Sequence, residues 1–113
     1  MTEIWHNPRC SKSRQTLALV EERGEDVTVR RYLDDAPSEA ELRAVLTALN
    51  ASPIDIMRKG EKVFKELGLS ADTPADDLIA AMLANPILIE RPIVLKDGKA
   101  RIGRPPESVL EIL

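Results

Sequence analysis

The sequence predicts one α/β domain built on a four-stranded mixed sheet. Three observations carry that prediction. A strand, a helix and a strand follow one another with short links over residues 2–33, which makes a βαβ unit with parallel strands. Capped amphipathic helices fill the middle of the chain, about residues 38–85. Two apolar runs joined by Lys96-Asp97-Gly98-Lys99 then form an antiparallel hairpin, followed by a last helix.

Bulk properties agree. A chain of 113 residues with 43% apolar side chains forms one domain with a real core, here residues 1–113 with the helices as an insertion. One Trp, one Tyr and one Phe leave that core to Leu, Ile, Val, Ala and Met. A net charge of −3 argues against general nucleic-acid binding, so the arginines matter as local clusters. No run is long and apolar enough to span a membrane, and no signal pattern precedes the first strand. The single cysteine cannot form an internal disulfide, which fits a reducing cytoplasm.

The first strand candidate is Thr2 to His6, ended by Asn7-Pro8. The first helix runs from about Ser11 to Glu22, with Leu17, Ala18 and Val20 as its apolar stripe, and stops at Gly24. Val27 to Leu33 is β-branched and aromatic, hence the second strand. Ser38-Glu39-Ala40-Glu41 is a capping box, and Leu42, Val45, Leu46 and Leu49 follow at helical spacing. Pro53 opens a short helix that Gly60 breaks, and Glu61 to Leu67 forms another, closed by Gly68. Thr73-Pro74-Ala75-Asp76 caps a helix to Ala84 with Leu78, Ala81 and Met82 inward. Pro92 cannot sit inside a central strand, so the third strand begins at Ile93. The fourth covers Ala100 to Ile102, and a terminal helix turns Val109, Leu110 and Leu113 inward. The order β-α-β, helices, β-β-α is the thioredoxin-like arrangement, and that topology suggests a cis Arg91–Pro92 bond.

The chemistry centres on His6-Asn7-Pro8-Arg9-Cys10-Ser11-Lys12-Ser13-Arg14. Cys10 falls at a strand-to-helix turn, where free N–H groups and the helix dipole favour a thiolate and can hold an oxyanion. A lone cysteine is ordinarily a small buried hydrophobe, but three cations and two hydroxyls are poor company for one. Cys10, Ser13 and Arg14 share a helix face. Arg58, Arg91 and Arg104 each stand beside a turn or proline after an apolar segment, and a guanidinium fork suits a tetrahedral oxyanion.

These stretches, with Arg58-Lys59-Gly60, Glu66-Leu67-Gly68-Leu69, Asn85-Pro86-Ile87-Leu88-Ile89-Glu90-Arg91-Pro92-Ile93-Val94 and Gly103-Arg104-Pro105, cover nearly the whole chain. Together they make it resemble the glutaredoxin-coupled arsenate reductases, the ArsC family, and its short members most closely. The resemblance implies Cys10 as nucleophile, His6 and Ser13 as residues that hold it as a thiolate, and Arg58, Arg91 and Arg104 as oxyanion ligands. It implies arsenate as substrate, glutathione as co-substrate and glutaredoxin as partner, with no bound cofactor or metal. Longer relatives carry a C-terminal tail that this chain lacks.

With one cysteine and no resolving partner in the chain, the second thiol must come from outside. Two rival functions share the scaffold: a thiol reductase acting on another substrate, and a regulator of the Spx type that binds RNA polymerase. The latter typically carries Cys-x-x-Cys, whereas Ser13 holds the second position here.

Overall fold

In a computed structural model, which describes residues 2–113, the four strands are β1 (Thr2–Trp5), β2 (Val27–Arg30), β3 (Ile93–Lys96) and β4 (Lys99–Ile102). Their spatial order is β2-β1-β3-β4. β1 and β2 pair in parallel, with Ile4 opposite Val29, and β3 runs antiparallel to both β1 and β4. This is the expected thioredoxin-like mixed sheet. The helices are α1 (Ser11–Glu22), α2 (Glu39–Leu49), α3 (Lys62–Glu66) and α4 (Ala75–Ala84), with 3₁₀ segments at Pro53–Ile56, Pro86–Leu88 and Pro106–Ile112. No helix among the described residues is long and apolar enough to cross a membrane.

The chain forms two compact units. The first joins the residues up to Asp35 to Arg91–Leu113 and contains the sheet. Its core is Ile4, Val20, Val94, Val109 and Ile112, with Leu17, Val27 and Leu113 packed against it. α1 has the expected ends, and Gly24 takes the left-handed conformation just past it (φ 76°). Its buried face differs from the expected stripe. Ser13, Thr16 and Val20 are buried, Leu17 is half-buried and Ala18 is exposed. The first two turns of α1 therefore bury hydrogen-bonding groups, and apolar packing takes over at Val20.

β2 ends at Arg30, short of the expected Leu33, because residues 31–35 turn: Asp34 and Asp35 donate N–H bonds to the Arg31 carbonyl. The C-terminal helix is a 3₁₀ segment. Its three-residue repeat buries Pro106, Val109 and Ile112, while the expected Leu110 and Leu113 are half-buried. The hairpin turn carries Asp97 and Gly98 at positive φ (50° and 80°). Arg91–Pro92 is cis as expected, and Arg104–Pro105, which the sequence reading left unremarked, is cis too.

The second unit is Ala36–Glu90, slightly wider than the expected insertion. α2 opens with the capping box in place: Glu41 N–H donates to Ser38 Oγ at 3.2 Å and Ser38 N–H to Glu41 Oε1 at 2.9 Å. Leu42, Val45 and Leu46 are buried. Arg43 bonds Glu39 in its own helix and Asp76 in α4, at 2.9 and 3.0 Å. In α4 the buried set is Leu78, Ile79 and Met82, with Ile79 in place of the expected Ala81. Thr73 does not cap α4; its hydroxyl accepts from Ser70 N–H, and the Pro74 carbonyl accepts from Asp77 and Leu78. Residues 56–58 run beside 88–90 through an antiparallel bridge between Met57 and Ile89. Its outer bonds join Arg58 N–H to the Leu88 carbonyl and Glu90 N–H to the Ile56 carbonyl, each 2.7 Å.

Candidate active site

β1 delivers the chain to the site. His6 N–H donates to the Arg30 carbonyl at 2.8 Å, which carries the parallel pairing one residue past the strand. The turn then closes on itself: Cys10 N–H donates to the Asn7 carbonyl, and Arg9 N–H to Asn7 Oδ1, both at 3.0 Å. Cys10 is thus the N-cap residue of α1, in extended conformation, and its carbonyl accepts from Arg14 N–H. An N-cap position leaves the first helical N–H groups without helical acceptors. Cys10 makes no side-chain cap hydrogen bond, but the backbone N–H groups of Ser13 and Lys12 are near enough to its sulfur to lower the thiol pKa.

The Cys10 thiol is half-buried, and burial is the largest single influence on its pKa, opposing ionisation. The opposing groups outweigh it: the Ser13 N–H, a hydrogen bond and the charge from Arg91, and the Lys12 N–H together hold the pKa below the ordinary thiol value. Arg104 completes the surround. Its Nη2 lies 3.5 Å from Cys10 Sγ while its Nε donates to the Arg91 carbonyl at 2.8 Å. Arg104 is exposed, so water screens its charge more than that of half-buried Arg91.

Behind the sulfur lies a buried polar cluster. His6 is 5% exposed and Ser13 fully buried, and His6 Nδ1 meets Ser13 Oγ at 2.6 Å. Ser13 Oγ also accepts from Asn7 N–H at 3.0 Å. The Ser13 hydroxyl therefore bonds His6 and Asn7, and it is the Ser13 backbone N–H, not the hydroxyl, that lowers the Cys10 pKa. Burial, then the charges of Arg31 and Arg14, lower the His6 pKa, so the ring is neutral at pH 7. The path from His6 to Cys10 runs through Ser13 and the first turn of α1.

Cys10, His6, Ser13, Arg91 and Arg104 all belong to the sheet-containing unit and gather at one place. Arg58 belongs to the other unit. There its Nη1 donates to Glu90 Oε1 at 2.8 Å and its Nε to Glu61 Oε1 at 3.4 Å, and it borders a cavity of about 470 Å³. Two residues the sequence reading passed over belong with the site. Asn7 uses its carbonyl, its side chain and its N–H to fix the turn. Gly103 packs so closely that a Cβ there would clash with Thr16 Oγ1 and lie 2.8 Å from Pro92 Cγ, and its N–H donates to the Pro92 carbonyl at 2.9 Å. A glycine immediately before Arg104 was the available signal.

A lone half-buried thiol at a helix start, with guanidinium beside it on a thioredoxin-like sheet, defines a class of single-cysteine thiol proteins. Within that class the chain belongs to the ArsC family, whose model matches residues 5–112. It is 46% identical over 113 residues to an arsenate reductase of Neisseria meningitidis, covering 98% of this chain and 97% of that one. It is 50% identical to YfgD of Escherichia coli, over 98% of this chain and 95% of the other. An arsenate reductase structure from Vibrio cholerae superposes with a TM-score of 0.94 at 49% identity, covering 99% of this chain and 97% of that one.

Proposed function

We propose that this protein reduces arsenate to arsenite, with Cys10 as the nucleophile and glutathione and glutaredoxin as the external thiols. The observation that carries the reading is the sulfur's setting: a half-buried thiol at the start of α1, with Arg104 Nη2 3.5 Å away and Arg91 also lowering its pKa. That arrangement favours the thiolate and offers donors to an incoming oxyanion. The close relatives that bear the name arsenate reductase support the same substrate.

In the proposed sequence the Cys10 thiolate attacks arsenic, an S–As bond forms, and one arsenate oxygen leaves as water with a proton from solvent. Glutathione replaces a second oxygen, again releasing water. The two sulfurs then join, both As–S bonds break, and two electrons remain on arsenic, which takes up water and leaves as arsenite. Glutaredoxin removes glutathione from Cys10 by thiol–disulfide exchange, which restores the thiol. Arg91 and Arg104 hold oxyanion charge, and His6 and Ser13 position the helix start. The test is arsenate-dependent NADPH oxidation coupled through glutathione, glutathione reductase and glutaredoxin. Turnover that Cys10→Ser abolishes supports the reading; no arsenate-dependent turnover with folded protein overturns it.

A further inference from the structure

The first turn of α1 is charged against its own helix. A helix N-terminus carries partial positive charge, so acidic residues stabilise it and cations oppose it. α1 has no acidic residue in its first turn and places Lys12 there, with Arg9 just before and Arg14 just after. No Asp or Glu occurs between Glu3 and Glu21, although the whole chain is net negative at −3. Arg14 is tied down by its bond to the Pro8 carbonyl at 2.9 Å. The side chains of Arg9 and Lys12 are exposed, and neither has an ion-pair partner among the described residues. Neither is a donor to Cys10 Sγ; Lys12 reaches it only through its backbone. Fold stability does not account for cations at these two positions, which stand one residue before and two after the one cysteine an external thiol must reach.

We propose that Arg9 and Lys12 select the resolving thiol by charge, favouring a small anionic thiol over neutral and cationic ones. The selection rests on Cys10 being the sulfur that the external thiol resolves. Two exposed cations beside a reacting sulfur raise the local concentration of a carboxylate-bearing thiol and repel an aminothiol. Glutathione, with two carboxylates and one ammonium, has the favoured sign. Arg9 and Lys12 thus act as specificity determinants that need no contact with arsenate.

The experiment uses a mixed disulfide of Cys10 with 2-nitro-5-thiobenzoate and no arsenate, so it reads selection even if arsenate proves not to be the substrate. An incoming thiolate attacks Cys10 Sγ, a new S–S bond forms, and the coloured thiolate leaves with the electron pair of the broken bond. Release rates are measured at low salt with glutathione, 2-mercaptoethanol and cysteamine, for the native protein and for the R9E/K12E and R9Q/K12Q variants. Comparing variants thiol by thiol cancels each thiol's intrinsic reactivity. In R9E/K12E the glutathione rate should fall on the order of tenfold, the cysteamine rate should rise severalfold, and 2-mercaptoethanol should change by less than about twofold. R9Q/K12Q should fall between, and added salt should compress the differences. Equal changes for all three thiols, or an unchanged glutathione-to-cysteamine ratio in both folded variants, overturns the proposal. Retained selection without arsenate turnover supports it and counts against the substrate alone.

Discussion

Arg104 bonds two partners at once: its Nε holds the Arg91 carbonyl and its Nη2 stands 3.5 Å from Cys10 Sγ. The backbone of one arginine is thereby fixed by the side chain of another, and both guanidinium groups are brought to the same sulfur. Residues 81 and 94 positions away in sequence from Cys10 reach it because β3 pairs with both β1 and β4.

The two arginines should separate by their effect on the thiol. Arg91→Ala removes a half-buried hydrogen bond and charge, so the Cys10 pKa should rise toward its ordinary value, read as thiolate absorbance against pH. Arg104→Ala should move it less, because Arg104 is exposed, yet weaken arsenate binding, with little change in Tm for either variant. A Cys10 pKa indifferent to Arg91→Ala would remove Arg91 from the account. The sign for stability follows: a depressed thiol pKa stabilises the fold above the unfolded thiol value, and that contribution is lost as pH falls through the folded value.

Ser13→Ala tests the buried cluster. It leaves the Ser13 N–H on the sulfur but deprives His6 Nδ1 and Asn7 N–H of their partner. Stability should drop by about 1–3 kcal/mol in urea denaturation. The Cys10 pKa should shift less than in Arg91→Ala. A large pKa shift with unchanged stability would show that the Ser13 hydroxyl acts on the thiolate directly and not through His6 and Asn7.

His6 gives a pH dependence. Its folded pKa is lowered by burial first, then by Arg31 and Arg14, so the neutral ring is the native form. Its contribution is complete above the unfolded value of about 6.5 and is lost as pH falls through the folded pKa. The urea midpoint should therefore decline on acidification below about pH 6.5, and His6→Asn should flatten that decline. An identical pH profile in His6→Asn contradicts it.

Gly103→Ala forces a methyl into Thr16 and Pro92. Overpacking of this kind costs about 1–3 kcal/mol. Because the chain must shift next to Arg104, KM for arsenate should also rise. Adding Thr16→Ala removes the nearest clashing atom and should recover part of both losses. A Gly103→Ala protein with native Tm and KM would show that the contact is not restrictive.

Much of this site was legible in the sequence. Cys10 at a strand-to-helix turn, the bounds of α1 and the start of β3 after Pro92 follow from local rules about caps, prolines and apolar periodicity. Local rules failed where tertiary context decides. The stripe of Leu17 and Ala18 was the obvious apolar face of α1, but the helix turns Ser13 and Thr16 inward because His6, Asn7 and Gly103 meet it there. The C-terminal segment reads equally well with periods of 3.6 and 3.0, and only packing selects the second. Nothing in the sequence signalled that Arg58 pairs with Glu90 and Glu61, which the Met57–Ile89 bridge brings beside it.

The central claim is that Cys10 attacks the substrate and is resolved from outside the chain, and one mass measurement tests it directly. The protein is incubated with glutathione, with and without arsenate, quenched, and the peptide bearing Cys10 is weighed. The account predicts a glutathione adduct on Cys10 that depends on arsenate and disappears on adding glutaredoxin. Multiple turnover with thioredoxin alone and no glutathione, with Cys10 unmodified throughout, would contradict it.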